Sequence, residues 1–303
     1  MIARAWRHPW VRHLRLPFNL LLSPIFLWGV WLGGGVDDPL RVAVAYLSLH
    51  VFLYGGTNAL NSFYDRDEGP IGGMLRPPPV DRGLLAWAWG VQLAGLPLAA
   101  WVGGPFLAVW TLLLGVATAY SHPRWRWKSD PVAAVAAVGL GQGGLGALAG
   151  AWAGADPARG WGVAGDLLQP GVALGLAAAA ILVPGLYVVS QVYQTREDRA
   201  RGDRTWPVVL GPATALRWAT LVSAVGGMLL LAALALGTDG ARGVGWAAAL
   251  PLGAVLAALA AAQWRWAARF DEGDVEGNFR RAMALLGGGS AILTLYLLVV
   301  ALR

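Results

Sequence analysis

The sequence predicts an all-α, polytopic membrane protein, a bundle of about nine transmembrane helices. Three observations carry this reading. Hydrophobic residues make up 57% of the 303-residue chain and charged residues only 13%, far from the balance of a soluble domain. Apolar runs of roughly 18 residues or more, the length a helix needs to cross a bilayer, recur along the chain. The basic residues gather in alternate loops, as membrane sidedness requires.

The predicted spans cover 16–34, 40–63, 84–102, 105–121, 131–153, 171–193, 213–236, 243–263 and 279–302. The first is preceded by MIARAWRHPWVRHLRLP, a basic segment like that of a signal peptide. The apolar stretch after it is long and has no clear small-residue cleavage site, so it reads as a retained span. With the N-terminus in the cytoplasm, all Lys and Arg residues except Arg41, Arg159, Arg242 and Arg303 fall on the cytoplasmic side. That asymmetry supports the orientation and places the polar loops after spans two, four and six on one face. No domain boundary is visible, so residues 1–303 read as one domain.

Small residues dominate the spans. Gly139 to Gly144, and the Ala/Gly run onward to Gly154, favour close helix packing. A phosphate-cradling loop is the alternative, but no Lys-Ser/Thr pair follows. Gly287 to Gly289 reads as packing too. Trp10, Trp87, Trp89, Trp125, Trp127, Trp264 and Trp266 lie near span ends, where indoles usually form interfacial belts. The chain has no cysteine, which excludes disulfides, thiolate metal sites and cysteine nucleophiles. Its four histidines have no ligand spacing. Lys and Arg outnumber Asp and Glu by 23 to 17, yet the excess follows sidedness instead of forming a patch, so no nucleic-acid partner is expected.

Two polar stretches close membrane-length apolar runs. The first, Asn58 to Pro79, reads NALNSFYDRDEGPIGGMLRPPP. Asn61, Asp65 and Glu68 are spaced to share one face if the helix continues past Asp65. Asp65, Asp67 and Glu68 repel one another unless cations lie among them. A solvated helix end is one reading; an oxygen-ligand Mg²⁺ site completed by phosphate is the other. The second stretch, Tyr193 to Gly211, reads YQTREDRARGDRTWPVVLG and places Gln194, Glu197 and Asp198 on one face. Two acid-bearing helix ends suggest two halves of one site.

These stretches resemble the UbiA superfamily of intramembrane prenyltransferases. Asn61, Asp65 and the Tyr64–Asp67 core are similar to the family's N-D-x-x-D-x-x-x-D motif, and Arg76 to Pro79 to its R-P-x-P element. Asp198, Gly202 and Thr205 to Gly211 resemble D-x-x-x-D followed by G-x-x-T-L-P-V-x-L-G. Tyr120, Ser121, Pro123, Arg126 and Lys128 resemble Y-S-x-P-x-x-R-x-K. The sequence departs from the pattern at Ser62, Gly69 and Gln194, where the family carries acids, leaving Glu68 and Glu197 as stand-ins.

The resemblance implies a nine-helix bundle around a lipid-open cavity. It implies Mg²⁺-dependent transfer of a prenyl group from an isoprenyl diphosphate to a lipophilic acceptor within the membrane. Asp65 and Asp198 would be the principal Mg²⁺ ligands, Asp67, Glu68 and Glu197 supplementary, and Asn61 an orienting group. Arg15, Arg76, Arg126 and Lys128 would hold the diphosphate, and Tyr64, Tyr120 and Gln194 would face substrate. Terpene cyclisation on the same scaffold is one rival reading. A non-catalytic lipid-binding protein with a degenerate metal site is the other, favoured by the three departures and opposed by the retained Asp65 and Asp198.

Overall fold

A computed structural model describes residues 8–167, 169–238 and 241–301. Among them, nine helices are long and apolar enough to cross a membrane. They are α1 (Pro9–Leu32), α2 (Pro39–Asp65), α3 (Gly83–Val102), α4 (Gly104–Ser121), α5 (Pro131–Gly154), α6 (Pro170–Arg201), α7 (Pro212–Leu236), α8 (Trp246–Ala268) and α9 (Val275–Val300). The expected spans are all present. The expected end of the last one, residue 302, and Arg303 lie outside the described residues. The only strands among those residues are β1 (Gly237–Thr238) and β2 (Ala241–Arg242), an antiparallel pair between α7 and α8.

Local chemistry sets the helix ends. Pro39, Pro131, Pro170 and Pro212 each open a helix, where a fixed φ helps and the missing N–H costs nothing. Asp130 caps α5 by accepting from the N–H groups of Val132 and Ala133 at 3.0 and 2.8 Å. The first helix breaks at Arg15, whose φ of 49° is left-handed, and α6 loosens into a 3-10 turn at Val192–Gln194. Both irregularities lie beside the cavity described below.

Glycine governs the packing at the rear of the bundle. A Cβ on Gly29 of α1 would lie 1.8 Å from the Ala147 carbonyl oxygen of α5, and one on Gly150 would lie 2.0 Å from that of Phe26. Gly33 meets Ala151 and Gly154 meets Val30 in the same way. Each helix thus presents a small-xxx-small row to the other, so their backbones touch. The expected role of the Gly139–Gly144 run is also seen: Gly139 and Gly143 press on the backbone of α6 at Ala180 and Ala179.

At the bundle end away from the motifs, Arg41 is buried and satisfies helix-terminal carbonyls. Its Nε donates to Val102 O at 3.0 Å and its Nη1 to Ala153 O at 3.0 Å and Ala155 O at 2.5 Å. One guanidinium therefore closes α3 and α5, whose last carbonyls have no partner within their own helices. Two of the tryptophans assigned to interfacial belts are engaged by protein: Trp10 donates to Asp81 at 2.8 Å and the buried Trp266 to Asn278 at 3.1 Å.

The α1–α5 contact gives a direct test. Gly150→Ala should lower the thermal midpoint in detergent, equivalent to a loss of about 1–3 kcal/mol, because the added methyl has nowhere to go. Gly90→Ala on α3, where no atom lies within 4 Å of the new Cβ, should be neutral or slightly stabilising. Equal midpoints for the two variants would contradict backbone contact between α1 and α5.

Candidate active site

A cavity of about 610 Å³ occupies the bundle, and every span except α3 contributes to its wall. Its deep part is apolar and lined largely by α7, α8 and α9, with Leu231, Leu256 and Leu293 beside the small residues Gly227, Gly253 and Gly289. Its mouth is highly charged. Asp65 at the end of α2 and Asp67 just beyond it meet Lys128 from the α4–α5 loop. Asp198 and Arg201 come from the end of α6, with Asp203 and Thr205 following. Segments far apart in sequence are therefore joined at one end of the bundle.

The join is a lattice of charge-assisted hydrogen bonds. Lys128 Nζ donates to Asp65, and Arg126 approaches the same carboxylate at 3.6 Å. Arg126 also grips Asp203 with both Nε and Nη2, at 3.1 and 3.0 Å, the fork geometry of guanidinium on carboxylate. Arg201 donates to Asp67, to Asp198 at 2.6 Å and to Asp203 at 3.2 Å. Thr205 adds a bond to Asp198 at 3.1 Å. Lys128 is buried, and desolvation pulls its pKa below that of an ordinary lysine while Asp65 opposes the shift.

Arg15, buried at the break in α1, donates to the Ser62 hydroxyl at 2.7 Å. Where the motif pattern has an acid, this chain thus has a neutral acceptor for a buried guanidinium. Asn61 donates to Ser121 at 3.3 Å. Deeper in the wall, the hydroxyls of Tyr120 and Tyr187 are 2.7 Å apart, and Gln191 Nε2 donates to Tyr187 at 2.7 Å. Arg15, Arg66 and Arg126 are the three non-glycine residues with positive φ among the described residues, at 49°, 53° and 39°. Such backbone costs about 1–3 kcal/mol each and characteristically collects at functional sites.

Of the residues expected at the site, Asn61, Asp65, Asp67, Asp198, Arg15, Lys128, Tyr120 and Gln194 line the cavity, and Arg126 lies beside it. Glu68, Glu197, Arg76 and Tyr64 do not line it. The face expected for Asn61, Asp65 and Glu68 is broken because α2 stops at Asp65: Arg66 turns left-handed and sends Glu68 to the exterior. Glu197, and not Glu68, fills the space beside Gly69. One of its oxygens accepts the Glu68 N–H at 3.0 Å, and the other lies 2.7 Å from where a Cβ at residue 69 would be. Arg76 is exposed, and its carbonyl accepts from Arg12 at 3.1 Å. Tyr64 packs edge-on against His122 with ring centroids 5.5 Å apart.

Arg201, Asp203, Tyr187 and Gln191 were not expected. Arg201 carries a legible signal, since it follows Asp198 by three residues and Glu197 by four, a spacing that pairs charges on a helix. Tyr187 and Gln191 are embedded in the apolar run of α6, where nothing distinguishes them from packing.

The fold defines an integral, multi-pass membrane protein with a charged mouth above an apolar chamber. Residues 22–301 match the model of the UbiA prenyltransferase family, and the chain belongs to that family. It is 28% identical over 242 residues to digeranylgeranylglyceryl phosphate synthase of Natronomonas pharaonis, covering 78% of this chain and 79% of the relative. It is 27% identical over 228 residues to a chloroplastic chlorophyll synthase of Oryza sativa subsp. japonica, covering 69% of this chain and 57% of that protein. Among solved structures, a UbiA homologue from Archaeoglobus fulgidus bound to GPP and Mg²⁺ superposes with a TM-score of 0.68 at 20% identity. That alignment covers 98% of this chain and 100% of the other. A UbiA homologue from Aeropyrum pernix K1 in its apo form gives 0.64 at 20% identity, covering 94% of this chain and 98% of the other. At these identities the structural likenesses establish the fold.

The pairing of Gly69 with Glu197 yields a prediction. Gly69→Asp places a second carboxylate against Glu197 and should cost about 1–2 kcal/mol. In a double-mutant cycle read by thermal unfolding, Glu197→Gln should recover part of that loss. Strict additivity of the two substitutions would refute the contact.

Proposed function

We propose that this prenyltransferase carries out Mg²⁺-dependent transfer of a prenyl group from an isoprenyl diphosphate to a lipophilic acceptor within the membrane. The observation that supports it most is the meeting of Asp65 and Asp198, from motifs far apart in the chain, with fixed cations at the mouth of an apolar cavity. That layout suits a substrate with an anionic head and a hydrocarbon tail. The relative named digeranylgeranylglyceryl phosphate synthase and the homologue solved with GPP and Mg²⁺ point the same way.

The donor set fits the metal. The lining carboxylates Asp65, Asp67, Asp198 and Asp203 offer hard oxygens and are interleaved with basic side chains. Among the described residues no group of three or more His, Cys, Asp or Glu side chains forms a ready-made cage. Mg²⁺ favours a few carboxylates completed by water and phosphate oxygens. Asp65, Asp67 and Asp198 would hold it. When bound with the diphosphate, it supplies charge neutralisation as the prenyl C–O bond breaks and the electron pair leaves with the diphosphate.

The chain's own residues do the remaining work. Lys128, Arg126 and Arg15 bind the diphosphate oxygens, Arg15 from a backbone held in place at the break in α1. The apolar wall of α7, α8 and α9 holds the isoprenoid and keeps water from the allylic cation. The rings of Tyr120 and Tyr187, in the wall below the mouth, offer π-density toward that positive charge. The acceptor forms its new bond to the prenyl carbon and releases a proton.

Asp65→Asn and Asp198→Asn should each lower turnover by about 10²-fold or more, with the protein still folded in detergent. The assay is Mg²⁺-dependent release of pyrophosphate from farnesyl or geranylgeranyl diphosphate. Near-native activity in either variant would remove that residue from the site.

The same reading places the charged mouth toward the cytoplasm. Because the chain has no cysteine, single cysteines report sidedness cleanly. Exposed Asp37→Cys in the α1–α2 loop should react with an impermeant maleimide in intact cells, and exposed Arg124→Cys should react only after permeabilisation. The reverse pattern would overturn the orientation.

A further inference from the structure

The two acid-bearing helix ends, of α2 and α6, both contribute carboxylates to the cavity mouth. A fixed cation already joins them. The Arg201 guanidinium donates to Asp67 from the first and to Asp198 and Asp203 from the second, so one planar group spans the gap between the motifs. Its side chain is 22% exposed, against 4% for that of Asp67 and 8% for that of Asp198, so it reaches inward from the rim over two buried acids. A guanidinium keeps its charge at any working pH and presents five donors in one plane. Holding several carboxylates at once is a task that otherwise falls to a metal ion.

We propose that Arg201 takes the place of a second divalent cation, so that the two motifs share a single Mg²⁺ when the diphosphate is bound. The proposal rests on the diphosphate-and-metal reading above. Two further features agree with it. Gly69 and Gln194, where the family pattern has acids, leave each motif short of a carboxylate for an ion of its own. Lys128 meanwhile occupies Asp65, so the mouth already carries much of the positive charge that its acids require. A second doubly charged ion would have to enter at contact distance from Arg201, against like charge. Arg201 would then face the diphosphate and the shared ion together, neutralising phosphate charge without dissociating between turnovers.

The test counts ions directly. Purified full-length protein is titrated with Mn²⁺ in the presence of inorganic pyrophosphate, and bound Mn²⁺ is read by calorimetry and by electron paramagnetic resonance. The wild type should bind one Mn²⁺ per chain with no spin coupling between ions. Arg201→Ala should bind two, with a coupled signal, and should bind Mn²⁺ without pyrophosphate at least tenfold more tightly than wild type. Arg201→Lys keeps the charge and should stay at one, which guards against a variant that merely misfolds. Two coupled ions in the wild type would overturn the proposal and leave the prenyl-transfer reading intact. A count of one in both wild type and a folded Arg201→Ala would also overturn it. No bound Mn²⁺ in the wild type would overturn both readings.

Discussion

The structure depends on the ion lattice at the cavity mouth. Three segments that are remote in the chain end there, and each brings charges that are costly to bury alone. Asp65 ends α2 and Asp67 lies just beyond it, Arg126 and Lys128 come from the α4–α5 loop, and Asp198 and Arg201 come from the end of α6 with Asp203 following. Arg201 pairs with Asp198 and Asp203 inside its own segment, and the other bonds cross from one segment to another. Removing one partner strands another, so the lattice ties the positions of α2, α5 and α6 to one another. It also lets a membrane-embedded bundle carry a strongly polar site, because each carboxylate meets a cation at the boundary of the apolar interior.

The rear of the bundle plays the complementary part. Between α1 and α5 the backbones touch through glycines, and between α5 and α6 through Gly139 and Gly143. At the far end, Arg41 gathers the last carbonyls of α3 and α5. These contacts pack that side closely, while the deep part of the cavity is lined largely by α7, α8 and α9. The last two spans are the least buried, with 17% of each apolar window buried. A closely packed back wall with a lightly packed front holds the mouth in register above the apolar chamber.

The fold was legible because its signal is long and redundant. Runs of roughly twenty apolar residues, broken by basic loops, admit few alternatives in a bilayer. The meeting of Asp65 and Asp198 was legible from two acid-bearing helix ends, and Lys128 at the mouth from the family resemblance. What escaped lies in short-range backbone geometry. Whether the helix continued past Asp65 decided where Glu68 pointed, and the single left-handed residue Arg66 decided that. Glu197 lies outside the cavity lining for a related reason: it sits on the same helix as Asp198, but the Glu68 N–H claims its carboxylate. Gln191 and Tyr187 could not be found at all, because a polar group inside an apolar run gains meaning only from what it faces.

The three left-handed arginines bear on how this protein could be engineered. Arg15, Arg66 and Arg126 hold a conformation that glycine or asparagine would adopt with less strain. A campaign for thermal tolerance that sampled these positions would be rewarded by relief of an unfavourable dihedral, which at the exposed Arg66 registers as a higher melting point. At Arg15 and Arg126 that reward would remove the cations that face the Ser62 hydroxyl and the Asp203 carboxylate. Relief of backbone strain and retention of those polar contacts therefore pull in opposite directions on the same two positions.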